Sequence, residues 1–195
     1  MRFPNLPASL PISFSAAAAI EAGLSQSHLR TLIERGQVDR FARGLYRRAD
    51  SPLVDLDLVE VALRAPDATV CLETALAHHE LTDRIPSALD VALPRARRQP
   101  VVAAPVRWHR FGEDTFHLGR ETMEIEPGLS IGRYSAQRTL ADVFRLMHRE
   151  GSDLAYEALR NWLRAPTTTP AELLRLARQL PHAEVPLRRA LEVLL

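Results

Sequence analysis

Six arginines crowd the stretch from Ser25 to Arg48, at positions 30, 35, 40, 43, 47 and 48, against two acids, Glu34 and Asp39. DNA is a dense line of negative charge, and its binding is driven by phosphate neutralisation with release of counterions. The polar residues beside these arginines suit the same partner. Gln pairs bidentately with adenine and Arg with guanine, so Gln26 and Arg30 can read base edges. Ser25 and Ser27, placed where a helix starts, can hold a phosphate through hydroxyl and backbone N–H groups. Ser25, Gln26, Ser27, His28 and Arg30 form one candidate set, and Arg43 with Gly44 beside it a second. A solvated basic face on an ordinary small domain has the same composition, so charge alone leaves both readings open.

The elements that must carry these side chains follow from spacing. Residues 1–12 are punctuated by prolines and read as an irregular arm. Ser13 or Ser15 caps a helix that runs through Ala22, and Gly23 ends it. Ser25 or Ser27 caps a second helix, with Leu29, Leu32 and Ile33 on one face and Gly36 as its stop. Val38 to Arg40 and Leu45 to Arg47 read as two strands around Ala42-Arg43-Gly44. Helix, tight turn, helix and hairpin is the order of a winged helix-turn-helix, whose second helix enters the major groove by its N-terminal residues. Arg43 and Gly44 then form the wing tip, where an arginine can follow the backbone or enter a narrow minor groove.

A boundary falls near Ala49-Asp50-Ser51-Pro52. Beyond it the chain predicts helices over 55–64 and most of 70–81, strands over 89–93 and 106–111, and a hairpin around Pro127-Gly128. Helices follow over 135–149 and 153–164, from Thr169-Pro170, and from Pro186 to Leu195. The fold class is α+β: a winged helix-turn-helix over 1–50, then a mixed α/β domain with a helical C-terminal part over 51–195.

Other clusters carry less chemistry. Arg95, Arg97 and Arg98, with Arg107 and Arg110, make a second basic patch with no acid between 93 and 110. It extends a DNA footprint, meets an acidic protein or RNA, or is a solvated loop. Trp108 reads as half-buried. His78 and His79 are adjacent on a helix, so their side chains diverge by about 100° and suit a shared metal poorly. Gly151-Ser152 lacks the strand-borne carboxylates that a nucleotidyltransferase needs for magnesium, and Ser152 reads as a helix cap. Arg138, Asp142 and Arg145 are spaced as helix-surface ion pairs. No catalytic, metal or cofactor motif is read.

Composition sets the outer bounds. The chain has 195 residues and a net charge of +1, so its basic character is local, and all 25 Lys+Arg positions are arginine. The lone Cys71 leaves no partner for an internal disulfide and favours a reducing compartment. The run Ala16–Ile20 is too short for a signal peptide or membrane span, so a cytoplasmic protein is expected.

The stretch "GLSQSHLRTLIERGQVDRFARGLYRR" resembles the N-terminal winged helix of AbiEi-type antitoxins of type IV toxin–antitoxin systems. Its most specific piece is the RGxxxRxxRGLY arrangement, Arg35 to Tyr46. "CLETALAHHELTDRIP", "DVALPRARRQP" and "YSAQRTLADVFRLMHREGSDLAYEALRNWL" are similar to downstream segments of that family, so the likeness covers most of residues 13–165. The resemblance implies a repressor that binds its own promoter, often at inverted repeats, through Ser25, Gln26, Ser27, His28, Arg30, Arg40, Arg43 and Arg47. It makes Leu45 and Tyr46 packing residues. It further implies a C-terminal domain that counteracts an AbiEii-like nucleotidyltransferase toxin. An antitoxin acting only by direct binding to the toxin, with the winged helix as scaffold, is the alternative.

Overall fold

The structure, a computed structural model, describes residues 6–166 and 168–195. The chain is α+β and forms two compact units. Of the described residues, the first holds 6–66, 100–104 and 124–131; the second holds 67–99, 105–123, 132–166 and 168–195. The boundary expected at residue 50 is therefore displaced, and two distant segments join the N-terminal unit. Of the arm expected over 1–12, residues 1–5 lie outside the described residues, and 6–12 carry neither helix nor strand.

The first unit opens with a strand that the sequence reading missed, β1 (Ser13–Ser15). Ser13 lies in that strand, and Ser15 caps α1 (Ala16–Glu21) by accepting the Ala18 N–H at 3.1 Å. Then come α2 (Gln26–Glu34), β2 (Val38–Ala42) and β3 (Leu45–Arg48). The three strands form an antiparallel sheet in the order β1-β3-β2. Leu10, Phe14, Ala19, Leu24, Leu29, Leu32 and Val38 make its core. Phe14 and Tyr46 stack with centroids 5.9 Å apart, and Leu45 is buried, so both packing expectations fit the geometry. Ile33 departs from its expected inward face and is exposed. The third helix, α3 (Leu56–Arg64), is capped by Asp55, whose Oδ1 accepts the Asp57 and Leu58 N–H groups.

Buried carboxylates recruit the two distant segments. Glu60 of α3 accepts the Ala103 and Ala104 N–H groups, each at 3.0 Å. Glu126 accepts the Ser13 N–H at 2.9 Å on one oxygen and the Arg47 guanidinium at 3.3 Å on the other. A buried charge must be paired to be tolerated, so these contacts hold the segments in place.

The second unit begins with β4 (Thr69–Val70), α4 (Leu72–His78), β5 (Leu89–Pro94), β6 (Val106–Phe111) and α5 (Glu113–Phe116). A hairpin follows, β7 (Arg120–Glu126) and β8 (Leu129–Tyr134), whose turn-proximal residues 124–131 belong to the first unit. The sheet order is β6-β5-β4-β8-β7, with β5 parallel to β6 and β4 parallel to β8. The rest is helical: α6 (Ala136–Arg145), α7 (Met147–Glu150), α8 (Ser152–Leu163), α9 (Pro170–Ala177) and α10 (Glu184–Leu194). The helix expected over 135–149 is thus split at Leu146, and Met147 is only half-buried. Gly151, at φ +94°, rather than Ser152 precedes α8. Pro186 sits in the first turn of α10, where its missing N–H leaves no helical bond unmade.

Helix α6 is the centre of this unit, packed by α4, α8, α9 and α10. The ion pairs expected on its surface are instead buried: Arg138 and Asp142 are both 0% exposed. Arg138 Nε donates to Asp142 Oδ2 at 2.9 Å, and Arg145 Nε donates to Oδ1 at 2.7 Å. Arg138 Nη1 also donates to the Thr115 and Leu118 carbonyls, and its guanidinium lies 4.3 Å from the Tyr134 ring centroid. Gly119 makes room for it: at φ +66°, an added Cβ would lie 2.7 Å from Arg138 Cβ. His79 Nε2 donates to the Tyr134 carbonyl at 2.7 Å, while His78 Nδ1 lies 3.3 Å from Met123 Sδ, so the two rings have different partners. None of the described helices is long and apolar enough to cross a membrane.

Two outcomes follow. Asp142→Ala leaves two guanidinium groups facing a vacated carboxylate site and should destabilise the second unit by about 3–5 kcal/mol, read from urea unfolding. Burial holds the His79 pKa below its usual 6.5, opposed by the hydrogen bond to Tyr134. The folded state therefore keeps His79 neutral while the unfolded chain takes up a proton. Stability from this group is present above the unfolded pKa and falls as pH drops below it. The urea midpoint should decline below pH ~6.5, and His79→Gln, which keeps a donor without a titrating ring, should decline less. Parallel pH profiles for the two proteins would exclude His79 as the cause.

Candidate nucleic-acid interface

The N-terminus of α2 is built by its own side chains. Ser25 Oγ accepts the His28 N–H at 3.2 Å, and His28 Nδ1 accepts the Ser25 N–H at 3.5 Å. This reciprocal cap satisfies helix N–H groups that would otherwise lack partners. Ser25 Oγ also lies 2.8 Å from Ser27 Oγ. Ser25 and His28 are thus exposed but already engaged in shaping the helix start. Gln26, Ser27 and Arg30 are exposed on the turn they create.

Those three line an open groove of about 900 Å³ together with Arg40, Gly44 and Tyr46 of the β2–β3 hairpin. Two separate elements therefore bring Arg30 and Arg40 to one concavity. Among the described residues neither guanidinium pairs with a carboxylate; Arg40 Nε donates only to the Ala42 carbonyl, at 3.4 Å. Glu34 is the acid of the lining, and Ile20 and Ile33 supply an apolar wall, 57% and 36% exposed. The groove combines cations, amide and hydroxyl groups with apolar surface, a mixture that can meet phosphates, base edges and methyl groups.

Arg43 occupies the hairpin tip beside this groove. It is exposed, and it lines a second, shallower depression with Arg64 and Val101. The backbone of the tip is held from two sides. The Ala16 N–H donates to the Gly44 carbonyl at 2.9 Å, and Arg64 Nη2 donates to the Arg43 carbonyl at 2.8 Å. Sequence reasoning passed over Arg64, because nothing local marks a bond between residues separated by 21 positions.

Arg47 does not belong with the others. It is 8% exposed, points to the buried side of β3 and is held by Glu126, and its Nη2 donates to the Pro52 carbonyl. Its expected DNA contact is therefore corrected to a structural ion pair. Arg48 is likewise occupied, donating to the Pro7 and Leu10 carbonyls at 2.7 and 3.0 Å.

The second basic patch, in the other unit, is less free than its composition implies. Arg107 donates to Asp90 at 2.7 Å and to Glu73 at 3.1 Å. Arg110 turns back onto the Arg95 and Arg97 carbonyls and braces the loop after β5. Arg97 pairs with Asp67 at 2.8 Å, but both side chains are exposed and such pairs hold by only about 0–1 kcal/mol, so Arg97 remains available. Arg95 and Arg98 are exposed. Trp108 is half-buried as expected. His109 is buried against Asp90 at 2.8 Å.

No protein-family model matches the chain, and no curated protein matches it. Among solved structures the chain is similar to the RV2827C protein from Mycobacterium tuberculosis, with a TM-score of 0.61 at 19% sequence identity. The match covers 93% of this chain and 72% of that one, so it is a likeness of fold over nearly the whole length.

Proposed function

We propose that this chain binds double-stranded DNA at its own promoter as an autorepressor, and that it is the antitoxin of a type IV-like toxin–antitoxin pair. The observation that carries the first part is the groove. Arg30 and Arg40 reach it from α2 and from the hairpin, paired with no carboxylate among the described residues, and Gln26 and Ser27 line it with them. On this reading α1 and α2 are a helix-turn-helix, α2 is the recognition helix and β2–β3 is the wing. The packing of β2 against α2, which seats the hairpin beside that helix, supports it. Arg30 and Gln26 read bases, Ser25 and Ser27 with the α2 N-terminus hold a phosphate, and Arg40 and Arg43 neutralise the backbone. The antitoxin role rests on the sequence resemblance to the AbiEi type. In that role the second unit counteracts a cytoplasmic nucleotidyltransferase toxin and needs no cofactor.

One observation favours the alternative of direct toxin binding through the same groove. Ile20 and Ile33 expose apolar surface there, which a protein segment would cover. Fluorescence anisotropy separates the two. The duplex from upstream of the gene should bind at least about a thousandfold tighter than a scrambled duplex, with affinity falling steeply as salt rises. Arg30→Ala should lose about 1–3 kcal/mol and relax specificity, and Arg40→Ala should weaken both duplexes and lower the salt slope by about one. Equal affinity for the two duplexes, together with a stable complex with a co-expressed toxin, would leave only the protein-binding antitoxin.

A further inference from the structure

The tip of the β2–β3 hairpin is held by more bonds than its turn requires. Ala42 and Leu45 are the last paired residues, so Arg43 and Gly44 alone make the turn. Gly44 takes φ +73°, and Arg43 is not among the residues of positive φ, which is the φ pattern of a type II turn. Both tip carbonyls are then taken by other elements: that of Gly44 by the first N–H of α1, that of Arg43 by Arg64 of α3. Arg64 is itself fixed, because its Nε donates to Glu60 at 2.8 Å. Glu60 is buried and anchored in turn by the Ala103 and Ala104 N–H groups. A chain of bonds, buried at Glu60 and exposed at its last link, thus runs from the body of the first unit to one peptide group. That group carries the exposed guanidinium of Arg43, which pairs with no described carboxylate.

We infer that Arg64 is a positioning residue for DNA binding: by holding the Arg43 carbonyl it presents the Arg43 side chain to the duplex from a rigid tip. The inference rests on the DNA reading above. A free two-residue tip would have to be ordered as the complex forms, and that entropy is a direct loss of affinity. Glu60 has a second effect here. It pairs with Arg64, so that guanidinium brings less net positive charge to the tip backbone.

Two readouts on the full chain test this. Trypsin cleaves after arginine, so the Arg43–Gly44 bond reports opening of the tip. Arg64→Met should speed that cleavage about tenfold, equivalent to ~1.4 kcal/mol of lost local restraint, at an unchanged urea midpoint. In anisotropy with the upstream duplex, Arg64→Met should weaken binding about fivefold, but less than about twofold when Arg43 is already alanine. Arg64→Lys, which keeps a donor and the charge opposite Glu60, should recover most of the affinity. Where Arg64→Met shifts the urea midpoint, Arg64→Gln, which keeps an amide donor for Glu60 but ends short of the Arg43 carbonyl, carries the same cycle. Unchanged cleavage, or equal losses with and without Arg43, overturns the inference while the DNA reading stands. A wild-type protein with no preference for its upstream duplex overturns both.

Discussion

One carboxylate, Glu126, fixes how the N-terminal unit is assembled. In β3 the side chains alternate, so Leu45 and Arg47 share the buried face. An arginine on that face needs an anion, since an unpaired buried charge costs several kcal/mol. Glu126 provides it, and its second oxygen takes the N–H of Ser13, which lies directly opposite Arg47 in the β1–β3 register. The same side chain therefore locks one rung of the sheet from both strands. Arg47 then fastens the exit of the hairpin through the Ser51 and Pro52 carbonyls. Every candidate contact on α2 and the hairpin is presented by this locked sheet. That is also why Arg47 cannot be one of them.

The second unit repeats the lesson with different residues. Arg138 and Asp142 have the i, i+4 spacing of an exposed helix pair, and exposed and buried pairs look identical in sequence. What distinguishes them is where the pair falls on the helix. Leu140, Val143 and Phe144 define the buried stripe of α6, and α4, α8, α9 and α10 close around the rest of its circumference. A helix enclosed on most sides must bury whatever polar residues it carries. Asp142 answers by serving two guanidinium groups, and Arg138 by finding two carbonyls and an aromatic face.

Much of the local structure was legible because its causes are local. Ser25 before a helical stripe, Thr169-Pro170, and the Gly44 and Gly128 turns each declare their element through capping or backbone preference. β1 and β4, with three and two residues, are too short to show a period of two and were missed. The entry of residues 100–104 and 124–131 into the first unit was not legible either, since it depends on Glu60 and Glu126 finding partners 43 and 113 positions away. For the candidate site the division is the same. The α2 residues and the tip position of Arg43 followed from composition and spacing, and Arg40 from the family resemblance. The loss of Arg47 and the entry of Arg64 followed only from tertiary contacts.

The removal of arginines from the surface changes the energetics of the proposed role. Of the six arginines between Ser25 and Arg48, Arg47 and Arg48 are occupied by Glu126 and by backbone carbonyls. Arg35 has a contact of its own within the protein, and Arg30, Arg40 and Arg43 are left to meet phosphates or bases, with Glu34 in the same groove subtracting from their potential. Each phosphate neutralised contributes a salt-dependence slope of about −0.9, so one copy reaching roughly three phosphates gains far less from counterion release than a repressor making ten such contacts. A surface this modest in charge binds tightly at physiological salt only when two copies act on neighbouring half-sites, or when little is lost to ordering. Inverted repeats, which the family resemblance implies, would answer the first need. A hairpin tip with both carbonyls already bonded answers the second, because the guanidinium at its apex arrives with its backbone in place.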